Sequence, residues 1–217
     1  MGILLQTTVW RWFMDNRALI KLTYGLFVLG SRDGNKINGC ITDTCIQVAS
    51  NPVRVAISVM NGNLTCSMVR KSGTFAITVL DDSCTYETIE RFGMHSGRDM
   101  EKFSGLDFAL DENENPYLKN LACAVLSCRV VSFQNLGTHS MFVAEVVDAR
   151  VLNGKSPLTY AEYQKSIKPK KSYEERKIVG WKCKICGFVY EGSQLPADYV
   201  CPVCGYPAED FEPIYED

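Results

Sequence analysis

The sequence predicts a mainly β fold, a barrel of roughly 160 residues with a few helices, followed by a small metal-binding module. Two observations carry this. From Leu19 onward, runs rich in Val, Ile, Phe and Thr recur between Gly, Asn and Asp turns. Beyond those runs, four of the ten cysteines stand as two Cys-x-x-Cys pairs near the end of the 217-residue chain.

The elements follow in order. MGILLQTTVWRWFMDN has a short apolar run broken by Gln6, Thr7 and Thr8, with no small-residue cleavage site after it. Met14 offers a second plausible start, so residues 1–16 read as an N-terminal extension. Strands are expected in LIKLTYGLFVLGS (19–31), RVAISVM (54–60), TFAITVL (74–80), CAVLSCRVVSF (123–133) and HSMFVAEVVDARVL (139–152). The Asp33-Gly34 pair in SRDGNKING marks a hairpin turn. NLTCSMVRKSG (63–73) and TYETIERFG (85–93) carry apolar residues at helical spacing, and each is expected to close at its glycine.

Charge separates the tail from the rest. The whole chain carries a net charge of −2, which excludes a general pull towards nucleic acid or anionic membrane. Lys165–Lys177 (KSIKPKKSYEERK) has six basic and two acidic residues and reads as a basic linker, interrupted by Pro169. Fully extended it reaches at most roughly 45 Å, enough for the tail to visit its own barrel or a neighbouring subunit. Residues 178–217 have two basic and seven acidic residues. With no run near the roughly 20 apolar residues of a membrane span, a cytoplasmic protein is expected. The barrel is placed at 17–164.

Cys183-x-x-Cys186 and Cys201-x-x-Cys204 are separated by 14 residues, a spacing that brings four thiolates around one metal, zinc or iron. The other cysteines show no framework spacing, so metal binding outweighs disulfides. Gly187 and Gly205 each follow the second cysteine of a pair, where a tight turn aims backbone N–H groups at sulfur. Trp181, Phe188, Tyr190, Tyr199 and Phe211 supply an aromatic shell. WKCKICGFVYEG, LPADYVCPVCG and Phe211 together resemble rubredoxin, the one-iron electron carrier, in the short-loop form fused to other proteins. The resemblance spans Trp181 to Pro213. A zinc ribbon more often presents basic residues to nucleic acid; this module is acidic, so iron is favoured.

A one-electron iron needs a source of electrons. Gly34–Thr65 holds turn glycines, Asn and Thr that can cradle a phosphate and the polar edge of a flavin, though the same residues also mark ordinary turns. LTYGLFVLGS, INGCITDT, NPVRVAISV, FGMHSGRD and GTHSMFVAEVVDARVL, in that order, resemble the flavin-reductase-like FMN-binding split barrel. The likeness is to its ferric-reductase branch and to the barrel half of high-molecular-weight rubredoxins.

The resemblance implies FMN bound near the interface of a homodimer. Asn38, Gly39, Cys40, Ile41, Thr42, Asp43 and Thr44 are expected to line the flavin and its phosphate. Ser58 is expected beside the ring, and Asn63 and Thr65 at the phosphate. Lys71 or Arg70 is the expected countercharge, against the alternative of a solvated helix end. His139 is expected to position the nicotinamide or steady charge on the reduced flavin. Asp43, Thr138, Ala144 and Cys66 depart from the family's pattern, and Asp43 suits a phosphate site only if it points away or binds a donor. Cys40 and Cys45 are expected as reduced, partly buried thiols.

The implied function is an electron-transfer flavoprotein in which NAD(P)H reduces FMN, and the Cys183/Cys186/Cys201/Cys204 iron relays single electrons to an acceptor. Family resemblance points to a flavodiiron-type oxygen or nitric oxide reductase as that acceptor. One alternative is a flavin or ferric-chelate reductase with the tail as an accessory. A weaker one is a zinc-ribbon binding or regulatory protein.

Overall fold

Strands buried on both faces need cover on both, and the barrel supplies two cores. The computed structural model describes residues 16–169 and 177–216. Its main sheet has seven antiparallel strands: β1 (Phe27–Asp33), β2 (Lys36–Thr42), β3 (Cys45–Ser50), β4 (Val53–Met60), β5 (Thr74–Leu80), β8 (Ala122–Asn135) and β9 (His139–Val151). A two-stranded ribbon, β6 (Phe108–Leu110) and β7 (Pro116–Leu118), lies between β5 and β8 in the chain. The order across the main sheet is β2-β1-β5-β8-β9-β4-β3.

Successive side chains of β1 point to opposite faces, as pleating requires. Leu29 joins Ile57, Phe75, Ile77 and Phe142 in one core, which α1 (Leu64–Ser72) enters through Cys66 and Val69. Val28 joins Leu80 in a second core, where α2 (Tyr86–Gly93) packs Ile89 and Phe92. Phe75 and Phe142 are fully buried, each a contribution of about 3 kcal/mol to folding.

The sheet does not close by a ladder between its end strands β2 and β3 among the described residues. Instead the Thr42 hydroxyl of β2 donates to the Ser58 carbonyl of β4 at 3.1 Å. That seam is where the candidate site lies.

The sequence expectations meet several local differences. Leu19–Lys21 belong to a 3-10 turn (Asn16–Lys21) rather than the first strand, which starts at Phe27. β3 was not anticipated: Ile46, Gln47 and Val48 are exposed on this edge strand, so no alternation betrays it. Gly73 does cap α1 in the left-handed region, its N–H donating to the Val69 carbonyl. Gly93 instead stays inside α2, which Met94 ends in a right-handed conformation.

The chain divides into two compact units between Lys168 and Pro169. Tyr163–Ile167 form a π-helical turn that continues α3 (Tyr160–Glu162), so the expected linker is still helical at Lys165. Residues 170–176 of that linker, and residues 1–15 of the expected extension, lie outside the described residues. The second unit is a three-stranded sheet in the order β11 (Val189–Glu191), β10 (Ile178–Cys183), β12 (Phe211–Tyr215). Among the described residues no helix is long and apolar enough to cross a membrane.

Candidate functional site

Two turns of matching geometry build the cysteine site. In each, the glycine N–H donates to the carbonyl of the first cysteine: Gly187 to Cys183 and Gly205 to Cys201, both at 2.9 Å. The first cysteine's N–H in turn donates to the carbonyl of Phe188 or Tyr206, both at 2.8 Å. The turns need a left-handed residue, and Gly187 (φ 77°) and Gly205 (φ 74°) provide it.

All four sulfurs lie within 4.8 Å of one another. The Cys183–Cys204 and Cys186–Cys201 distances are both 3.6 Å. That is far beyond a disulfide's ~2.05 Å. It is close to the roughly 3.8 Å edge of a tetrahedron with ~2.3 Å metal–sulfur bonds. The donor set therefore fits one thiolate-bound metal.

Phe211 and the two buried sulfurs, Cys183 and Cys201, pack with Trp181, Phe188, Tyr190 and Tyr199, the expected aromatic shell. Burial pushes the Cys201 thiol up, but the N–H groups of Cys204 and Val203 and the neighbouring thiols outweigh it, leaving it at about 7. The second cysteine of each pair faces outward: Cys186 is exposed and Cys204 half-buried. Ile185 and Val203, one residue before each, are also exposed.

The barrel's site is a cavity of about 500 Å³ at the β2–β4 seam. Of the residues singled out from sequence, Asn38, Cys40, Ile41, Thr42, Asp43, Ser58, Asn63, Thr65 and His139 all line it. Others fall elsewhere. The space beside Gly39 faces Phe103 and Phe92 of the second core. The Thr44 hydroxyl donates to the Asp43 carboxylate at 2.8 Å, so Asp43 does bind a donor. Lys71 is paired with Asp33 at 2.6 Å, in a separate shallow depression shared with Arg32 and Ser72. Arg70 donates to Asn61 and Ser140 and lies over the Phe133 ring. Neither lines the cavity.

The cavity's polar groups are ordered along β2. At one end the Asn38 amide donates to the Thr65 hydroxyl at 2.9 Å, at the start of α1. Burial raises the pKa of the Cys40 thiol, against the Thr65 and Asn63 side chains, which lower it. At the other end stand Thr42, Asp43 and Ser58. Asn38 and Asp43, five residues apart on an extended backbone, are about 16 Å apart. His139, paired across the sheet with Met60, lies on the β4–β9 wall with its Nδ1 2.8 Å from the Thr138 hydroxyl.

The loop after α2 completes the wall with Met94, His95, Gly97, Arg98 and Lys102, residues to which the sequence reading assigned no role. A signal existed: the chain has two histidines, and both line this cavity. Arg98 donates to the Gly62 carbonyl at 3.2 Å. Gly97 lies so close to Asn38 that a Cβ there meets Oδ1 at 2.1 Å. An elongated cavity with amide and hydroxyl donors and a helix start at one end fits a flavin mononucleotide, whose flat ring and phosphate lie at opposite ends.

Both parts of the chain match known families. Residues 19–167 match the flavin reductase like domain family and residues 181–212 the rubredoxin-like domain of rubrerythrin. The chain is 34% identical to the high molecular weight rubredoxin of Moorella thermoacetica, over 93% of this chain and all of that protein. It is 37% identical to the ferric-chelate reductase (NAD(P)H) of Archaeoglobus fulgidus, over 69% of this chain and 89% of that one. Among solved structures, the NADH:FAD oxidoreductase of Streptomyces globisporus C-1027 superposes with a TM-score of 0.61 at 20% identity, covering 73% of this chain and 93% of that one.

Proposed function

The chain belongs to the flavin reductase-like family, with a rubredoxin-like module behind the barrel, and we propose that it relays electrons from NAD(P)H to an acceptor protein. It is an NAD(P)H-dependent oxidoreductase that uses a flavin and a tetrathiolate iron. The observation that carries the relay is a four-sulfur cage, open to the surface at Cys186, on the same chain as a flavin-sized cavity.

The bound flavin supplies the conversion of a two-electron hydride transfer into single electrons. The chain's own residues do the rest. Asn38, Cys40, Ile41, Thr42 and Asp43 hold the flavin, taken as FMN, along β2. Asn63 and Thr65 would hold its phosphate at the start of α1, where the helix dipole favours an anion. Ser58 borders the ring. His139, fixed by the Thr138 hydroxyl, orients the nicotinamide or steadies charge on the reduced ring. Leu26, Phe92, Met94 and Tyr160 line the wall with apolar surface that excludes water.

In the tail, Cys183, Cys186, Cys201 and Cys204 bind the iron. Cys186 and Cys204, flanked by Ile185 and Val203, form the edge through which electrons leave. The module's net acidity suits a basic patch on the acceptor, for which a flavodiiron oxygen or nitric oxide reductase is the proposed class. A homodimer is proposed from the exposed apolar residues Ile46, Val48 and Val53 along the β3 edge and Phe133 on β8, which a second copy would cover. The described cysteines are all free, as suits the cytoplasm.

A visible spectrum with metal analysis tests the cofactors: thiolate-to-iron bands bleached by dithionite over a flavin background are expected, and zinc without iron sinks the relay. Cys201→Ser then tests the sequence of transfer. Electron export to an acceptor falls at least a hundredfold while NADH-driven flavin reduction persists; equal loss of both refutes the relay. The likeness to a ferric-chelate reductase favours a second reading, in which the barrel alone reduces flavin or ferric chelates. That reading requires undiminished chelate reduction in Cys201→Ser.

A further inference from the structure

An exposed hairpin turn has few contacts of its own, so its geometry is set by whatever ties it to neighbouring segments. The turn joining β8 to β9 is of this kind. Residues 134–138 are exposed, and the Leu136 N–H donates to the His139 carbonyl across the turn at 2.8 Å. His139 leaves that turn to line the cavity.

One residue of a distant turn supplies the ties. Asn61, between β4 and α1, gives its backbone N–H to the Thr138 carbonyl at 3.0 Å. Its side-chain Nδ2 donates to the Gly137 carbonyl at 2.7 Å and to Asn135 Oδ1 at 3.2 Å. Asn135 Oδ1 also accepts from the Gly137 N–H at 2.9 Å. The two amides thus bracket Gly137, whose φ of 92° favours glycine. Next in the chain, the Thr138 hydroxyl lies 2.8 Å from His139 Nδ1.

The other end of the Asn61 amide is held as well. Its Oδ1 accepts from the buried Ser140 hydroxyl at 2.7 Å and from the Arg70 guanidinium at 2.8 Å. Arg70 also donates to Ser140, and its Cζ stands 5.5 Å from the centre of the Phe133 ring. A guanidinium has donors only, so an amide turned the other way would face it with N–H groups and lose both sets of bonds.

We propose that Asn61 is a positioning residue for flavin reduction: it holds the β8–β9 turn so that Thr138 and His139 present the imidazole to the cavity, while Arg70 and Ser140 keep the Asn61 amide oriented. This rests on the reading of His139 as the group that orients the nicotinamide or steadies charge on the reduced ring. A residue that acts only through His139 loses its effect once that imidazole is gone, whereas an independent structural tie does not.

The test is single-turnover reduction of the flavin-loaded, full-length protein by NADH or NADPH, followed by bleaching of the flavin absorbance. Asn61→Asp keeps the acceptor for Arg70 and Ser140 but sets an oxygen against the Gly137 carbonyl and Asn135 Oδ1. Its reduction rate falls about ten- to a hundredfold, the effect of a misplacement of about 1 Å. Asn61→Ala falls in the same range. Arg70→Met, at an exposed position that the fold tolerates, slows reduction in the same sense and serves if a change at Asn61 unfolds the protein. In a His139→Ala background each of the three changes costs less than about twofold further. Wild-type rates in the folded single variants overturn the proposal. So does an equal loss with and without His139, which marks a tie that is only structural. A His139→Ala protein that is reduced at the wild-type rate refutes the reading of His139 itself, a result distinct from both.

Discussion

Gly97→Ala tests whether the loop after α2 and the start of β2 form one packed wall of the cavity. The added Cβ falls 2.1 Å from Asn38 Oδ1, 2.4 Å from Cγ and 2.6 Å from Nδ2. An ordinary carbon–oxygen contact is roughly 3.3 Å, so something must move by about 1.2 Å. Asn38 is 2% exposed and its amide is committed to Thr65, so it cannot swing into solvent. Losing that buried hydrogen bond costs about 1–3 kcal/mol. Overpacking adds about 1–3 kcal/mol. For a chain of this size the melting temperature falls by about 5 °C or more. Flavin affinity falls at least tenfold, because Asn38 and Thr65 both line the cavity.

The decisive assay is a double-mutant cycle read by thermal melting and flavin titration. Asn38→Ala removes the three atoms nearest to the new Cβ. Gly97 has no left-handed φ that an alanine would strain. In the Asn38→Ala background, Gly97→Ala therefore costs less than about 1 kcal/mol. If Gly97→Ala melts and binds flavin like the wild type, or is equally costly in both backgrounds, the packed-wall reasoning is wrong.

The remaining predictions concern charges. Lys71→Ala removes an exposed ion pair with Asp33 and leaves the Kd for FMN within twofold; a tenfold loss restores Lys71 as the countercharge. Asp81 is a buried carboxylate: burial pushes its pKa up, but the Ser83 hydroxyl and N–H, Asn153 and Lys155 outweigh this and hold it below its ordinary 3.8. A depressed folded value means that the stabilisation is present above about pH 4 and is lost as pH falls through the folded pKa. Asp81→Asn is thus destabilised by about 1–3 kcal/mol at pH 7. Its deficit against wild type narrows at pH 3 in urea melts, and a deficit independent of pH contradicts the sign.

How far each feature could be read from sequence depends on the range of the interactions behind it. The cysteine module is local: each pair closes its own turn through a glycine four residues after its first cysteine, so spacing alone implies the sulfur cage. The strands of the barrel were legible where burial on both faces made the runs apolar, as in TFAITVL. β3 was hidden because its neighbours leave it exposed, and Leu19–Lys21 looked strand-like but had no ladder partner to hold them extended.

The cavity divides in the same way. Asn38 through Thr42 lie on one strand with Asp43 just after it, and Asn63 and Thr65 on one helix start, so a resemblance carried along the chain found them. The positive charge is different. Nothing local in the sequence says that Lys71 pairs with Asp33 or that Lys102 is buried. By itself the sequence determined the metal donors, the strand-rich barrel and the wall carried by β2. Only the tertiary structure decided that Lys71 turns to Asp33 and that Lys102 is buried with its ammonium on the Phe92 carbonyl, because a side chain's partner depends on distant segments that the fold alone brings into reach.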